Sequence, residues 1–173
     1  MRPAGRDATL ELVRLLPFDE YVQSLDRKHI SAGVLIRGAR QRVLLVETSY
    51  TAHWDIPGGA VDAGESPWRA AKREVEEELG LARAIGRPLV IDFVPGDGLM
   101  PERLAFIFDG GLLSDDERRA LVITDPEIRL VEMCTLAEAA VKVKPVLARR
   151  LTAALDVAQT ERDVALCHDG TRV

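Results

Sequence analysis

Aliphatic residues crowd into two short runs early in the chain, Ile30 to Ile36 and Val43 to Val46, separated by the polar segment Arg37-Gly38-Ala39-Arg40-Gln41-Arg42. Apolar, partly β-branched runs around a glycine-bearing break predict two strands joined as a hairpin. Similar runs at Leu89 to Val94, Leu104 to Phe108 and Arg129 to Cys134 predict further strands, with loops over Pro95 to Pro101 and Asp109 to Thr124. Between Pro67 and Leu79 the spacing changes. Ala70, Ala71, Val75 and Leu79 form a narrow stripe of helical period. Pro67 suits the first turn, Ser66 is the expected cap, and Gly80 stands where a helix terminator belongs. Leu136 to Val141 and Pro145 to Ala158 read as two more helices. Near the N-terminus, Leu10, Val13 and Leu16 are parted from Tyr21, Val22 and Leu25 by Pro17, which predicts two short helical turns. Residues 1–28 are therefore read as a partly helical extension and 29–158 as the domain. The tail from Gln159 to Val173 has little apolar content and is expected to fray.

Strands and helices do not alternate regularly, which favours an α+β fold with a sheet sandwiched between helices over a doubly wound sheet. At 173 residues, one domain and one active site are expected. An apolar share of 47% beside 29% charged residues permits an ordinary globular core. The formal charge of −5 argues against a surface that coats nucleic acid, which needs clustered Lys and Arg. Small anions stay open to the protein if metal ions mask its acids. Cys134 and Cys167 have no zinc-site spacing, and a reducing cytoplasm is the simplest setting. No stretch has the length of a signal peptide or membrane span, so a soluble cytoplasmic protein without a membrane partner is expected.

The predicted helix over 67–79 carries Arg73-Glu74-Val75-Glu76-Glu77-Glu78. Glu74, Glu77 and Glu78 stand three and four residues apart and share one helix face. Each like-charge pair costs a few tenths of a kcal/mol in a bare helix, so solvent or bound cations must offset the repulsion. Mg²⁺, a hard cation that bridges carboxylates to phosphates, suits this set, whereas a bare acidic run also reads as a solvated face. Upstream, Gly58 and Gly59 can bring backbone carbonyls close to a cation. Glu65 and Arg73 are placed to pair and hold the loop against the helix, although Arg73 equally suits a plain surface ion pair.

The run from Gly59 through Glu65, Arg73, Glu74, Val75, Glu77, Glu78 and Gly80 to Leu81 resembles the Nudix box, G-x5-E-x7-R-E-U-x-E-E-x-G-U, at every fixed position. The resemblance implies a three-layer α/β/α sandwich around a mixed sheet. It implies Glu74 and Glu78 as metal ligands, Glu77 as a further ligand or base, and a contribution from the Gly58 carbonyl. Arg73 and Glu65 would orient the carboxylates. The implied activity is metal-dependent hydrolysis of the pyrophosphate bond in a nucleoside diphosphate linked to another moiety, such as a dNTP or NTP, ADP-ribose or a nucleotide sugar, with Mg²⁺ or Mn²⁺. Many members add one acid from a loop outside the box. Glu127 occupies a comparable place, with Glu102 and Glu117 as rivals.

Substrate signals are weaker. Pro95-Gly96 lies near the place where members that cleave ADP-ribose carry a proline. Val143 stands where members acting on 8-oxoguanine nucleotides tend to carry Asn, which puts that substrate in doubt. Trp54 is a candidate for stacking on a base and equally a packing residue. Residues 1–28 are a candidate homodimer interface. Two other readings are a catalytically silent nucleotide-binding module, which an eroded box would favour, and a Nudix-fold isoprenoid diphosphate isomerase, which would need a reactive cysteine at the site.

Overall fold

In a computed structural model of the chain, described here for residues 16–160 and 162–173, eight strands form one mixed sheet between two helical layers. The strands are β1 (His29–Arg37), β2 (Val43–Thr48), β3 (Gly58–Ala60), β4 (Pro88–Val94), β5 (Arg103–Leu112), β6 (Ile128–Cys134), β7 (Ala165–His168) and β8 (Thr171–Arg172). Their order is β6-β2-β1-β5-β4-β7-β8, with β3 also paired to β1. The β1–β5 and β4–β7 pairs are parallel and the others antiparallel.

Strand alternation decides which residues serve each layer, because successive side chains face opposite sides of a sheet. Ala32, Val34 and Ile36 of β1 and Leu44 and Val46 of β2 pack with Ala70, Ala71, Val75 and Leu79 of the helix α2 (Pro67–Leu79), after a short exposed helix α1 (Phe18–Ser24). The intervening Leu35, Val43 and Leu45 face the other side. There they meet Ala139 of α4 (Leu136–Lys142) and Leu147, Leu151 and Leu155 of α5 (Pro145–Thr160). A one-residue slip in register would exchange the two cores, so the pattern fixes the pairing.

The apolar stripe and glycine stop of α2 appear as expected, with Gly80 in the left-handed region at φ 64°. Ser66 has the extended backbone of a cap, but its hydroxyl caps nothing and is buried without a partner among the described residues. The expected β1–β2 hairpin shares the single pair Arg37 with Val43, because the other end of β1 turns to pair with β3. The loop expected over 109–124 contains the end of β5 and a helix α3 (Asp115–Ala120), which the reciprocal Ser114 and Glu117 capping box starts. Of the two N-terminal turns, the second is α1, and the first lies outside the described residues except for Leu16.

The tail requires a correction. Instead of fraying, Ala165–His168 adds a parallel strand to β4 and turns back through β8. Ala165 and Cys167 alternate inward into the core that α5 covers, so two buried residues and a full set of ladder bonds suffice where apolar content is low. Among the described residues no helix is long and apolar enough to cross a membrane.

Candidate active site

Arg73 organises the acidic face of α2. Its Nε and Nη2 donate to the two oxygens of Glu65 at 3.2 and 3.0 Å, its Nη1 donates to Glu74 Oε1 at 2.7 Å and Glu77 Oε2 at 2.9 Å, and Nη2 also donates to the Ala60 carbonyl at 3.2 Å. The forked contact with Glu65 is the bidentate geometry that fixes orientation as well as charge. Arg73 thereby ties the loop before α2 to the helix and steers two of its three carboxylates. Its bond to Glu65 holds that carboxyl below the usual range.

Glu78 has a different environment. It is buried, with 7% of its surface exposed, and accepts the Gly58 N–H at 3.1 Å. Burial pushes its pKa up to about 8 against that one favourable bond, and the charges of Glu74, Asp125 and Asp55 push the same way. Burial also raises Glu74, where the Arg73 bond opposes it. Gly58 lies at φ 148°, and a Cβ there would come within 2.4 Å of the Ala32 carbonyl. Only glycine brings this backbone against Glu78. The contact observed is through its N–H, whereas the family resemblance pointed to its carbonyl. A Cβ on Gly59 would stand 2.5 Å from Glu74 Oε1, so the second glycine also makes room for a carboxylate.

The acids proposed outside the box separate clearly. Glu102 pairs with Lys28, and Glu117 closes the Ser114 capping box. Glu127 stands one residue before β6. Asp125, two residues earlier, is the loop acid whose charge acts on both Glu74 and Glu78. Sequence reading missed it; the one local signal was Asp-Pro beginning a turn, which the Ile128 N–H to Asp125 carbonyl bond closes.

Among the described residues, no three His, Cys, Asp or Glu side chains converge on one point. The reason is visible: Glu74 and Glu77 each give one oxygen to Arg73, while Glu78 faces Gly58. The donor set nevertheless fits a hard divalent cation. It consists of carboxylate oxygens, and its buried member has carboxylate neighbours and, among the described residues, no cationic hydrogen-bond partner.

Beside Gly58 and Gly59 opens a cavity of about 220 Å³ between the β1–β5 pair and α5, its wall including Trp54, Asp55, Phe106, Lys144 and Arg150. Trp54 is half-buried and packs on the α5-side core, with Lys142 Nζ 4.0 Å from its ring centroid. One face of the indole is therefore already taken by a cation. Cys134 and Cys167 are buried on β6 and β7, and neither lines the cavity.

Fold and site together define a three-layer α/β/α protein whose acidic helix face adjoins a half-polar cavity. The NUDIX domain model matches residues 27–155, and the chain belongs to that family. Members of the family generally use divalent metal ions. Over 54 residues the chain is 44% identical to a putative 8-oxo-dGTP diphosphatase of Bacillus subtilis (strain 168), covering 31% of this chain and 36% of that protein. Over 50 residues it is 50% identical to diphosphoinositol polyphosphate phosphohydrolase 2 of Rattus norvegicus, covering 28% of each. These matches span only about a third of the relatives' own length. The fold resembles that of the MutT protein from Methanosarcina mazei Go1, with TM-score 0.62 and 22% identity over 81% of this chain and 100% of the other. It also resembles the NUDIX domain of Shewanella oneidensis NrtR complexed with ADP ribose, with TM-score 0.64 and 16% identity over 83% and 99%.

Proposed function

We propose that the protein hydrolyses the pyrophosphate bond of a nucleoside diphosphate linked to a further group, using Mg²⁺ or Mn²⁺ held by Glu74, Glu77 and Glu78. The observation that carries this reading is the buried Glu78 carboxylate, set beside other carboxylates and served by a single Gly58 N–H. A group of that kind is costly unless a cation joins it. Names of the relatives point the same way, since a diphosphatase and a polyphosphate phosphohydrolase are among them.

When bound, a divalent cation supplies charge neutralisation for the scissile phosphates and lowers the pKa of attacking water. The chain's own part is positional. Arg73, locked to Glu65, fixes the direction in which Glu74 and Glu77 can turn, and Gly58 and Gly59 let the phosphate-side backbone approach α2 closely. Glu77 is half-exposed, gives one oxygen to Arg73, and serves at the mouth of the site as a further ligand or base. Asp125 joins Glu127 as the acid contributed from outside the box. The adjoining cavity receives the group attached to the diphosphate, with Trp54 as part of its wall. A cytoplasmic setting agrees with two buried, unpaired cysteines.

The test is release of monophosphate or phosphate from dNTPs, ADP-ribose, nucleotide sugars and dinucleoside polyphosphates, with Mg²⁺ and then Mn²⁺. Cleavage of one class only in the presence of the cation is the expected result. Absence of turnover across the panel, with nucleotide binding retained, would favour the silent binding module instead.

A further inference from the structure

The cavity wall contains a buried cation that the chemistry of the box does not use. Arg150 of α5 is 9% exposed, and among the described residues its guanidinium makes one side-chain hydrogen bond, from Nε to Asp92 Oδ2 at 2.5 Å. Its Nη2 is sealed in without a partner among the described residues, whereas Nη1 also has no hydrogen-bond partner among them and is not sealed in, and Arg150 lines the cavity. A guanidinium carries five N–H donors in a rigid fork, and buried donors left unmet are costly, more so on a charged group. Arg150 thus stands at a cavity with donors to spare.

What holds it there comes from the far end of the chain. Asp92 of β4 is fully buried and also accepts the Gly170 N–H at 2.9 and 3.0 Å. Gly170 sits at φ 78° in the turn between β7 and β8, and a Cβ there would lie 2.6 Å from the Val146 carbonyl of α5. Arg149, next to Arg150, donates to the Asp169 carbonyl of the same turn at 2.6 Å. Residues 165–173 lie outside the segment matched by the family model. The terminal hairpin, Asp92 and α5 therefore form one continuous set of contacts ending at the cavity.

We propose that Asp92 and the hairpin turn at Asp169 and Gly170 are positioning residues for Arg150, and that Arg150 determines specificity by donating to an acceptor oxygen on the group joined to the diphosphate. This rests on the reading that the cavity takes substrate. The oxygen belongs either to a base carbonyl or to a further phosphoryl group. Asp55 lines the same cavity, and its Oδ1 accepts the Ile56 N–H at 2.8 Å. An acceptor there beside the Arg150 donors suits a group that offers an N–H next to its oxygen, and tells against a bare phosphoryl group.

The test uses the full chain carrying Glu78→Gln, so that binding is read whether or not the protein turns substrate over. Calorimetric dissociation constants are measured, with Mg²⁺, for two matched pairs. GTP and 2-aminopurine riboside triphosphate differ by the base carbonyl together with the N1–H beside it, and adenosine tetraphosphate and ATP differ by one phosphoryl group. The parent is expected to prefer the oxygen-bearing member of the first pair by roughly 10-fold. Arg150→Lys and Asp92→Asn should bring that ratio close to one, and Gly170→Ala should lower it part of the way. If the second ratio collapses instead, the oxygen is phosphoryl. Asp92→Asn keeps an acceptor for Gly170 N–H, and unchanged circular dichroism identifies the folded variants. Folded variants that keep both ratios, or a parent with no preference in either pair, would overturn the proposal. A hairpin with a purely structural role would lower Tm without moving either ratio. Failure of the hydrolase reading is seen separately, as absent turnover in protein with Glu78 intact.

Discussion

Two carboxylates are buried on opposite faces of the sheet, and their surroundings differ in kind. Asp92 is wholly enclosed and is matched by Arg150 and by the Gly170 N–H. Glu78 is nearly as buried but among the described residues receives only the Gly58 N–H, and its charged neighbours there are Glu74, Asp125 and Asp55. Desolvation penalises both. At Asp92 the fold provides the compensating charge, which makes the pair a structural clamp. At Glu78 the compensation is left to a ligand, and a carboxylate pushed up to about 8 marks that deficit.

The comparison breaks first at Glu78. Glu78→Gln keeps shape and removes charge, and turnover should fall by orders of magnitude, roughly 10³-fold, as read by steady-state kinetics at saturating cation. Asp92→Ala should act on stability instead. It leaves Arg150 buried and unpaired, an effect of roughly 3–5 kcal/mol, which lowers Tm by about 10 °C in thermal melts.

The third prediction concerns pH. In metal-free protein the folded state keeps the Glu78 proton up to about pH 8, whereas the unfolded chain releases it near the ordinary 4.5. Stability from this group is thus fully present below 4.5 and is lost as pH rises through 8. Tm of the metal-free protein should decline across that window, and Glu78→Gln should flatten the decline and raise Tm at pH 8 by roughly 5 °C. A variant more stable and less active than its parent is the signature of a charge kept for function. Smallest is Lys142→Ala, which removes the cation above Trp54 and the pairing with Glu132. A slight fall in the denaturant midpoint, with an unchanged m-value, is expected.

The same contrast explains what was legible in the sequence. The Glu78 region could be read because its signals are local: Pro67, the apolar stripe, Gly80 and the fixed intervals of the box all lie within one helix and its flanks. The α3 helix also had a local signal, Ser114 and Glu117 at capping-box spacing, although a loop was expected there. The clamp had none. Asp92 and Arg150 are 58 residues apart, and the hairpin that joins them is a strand only because β4 offers a free edge. Asp125 reaches the acidic helix through a chain reversal before β6, so intervals counted along the sequence pointed to Glu127 first.

The central claim is that Glu78 is left without an internal partner so that a cation can complete it. Titration of Mn²⁺ into metal-free protein by calorimetry at pH 7, in two buffers of different ionisation enthalpy, tests it directly. The account predicts binding with release of about one proton in the parent, and both weaker binding and no proton release in Glu78→Gln. Equal Mn²⁺ affinity and equal proton release in parent and variant would contradict it.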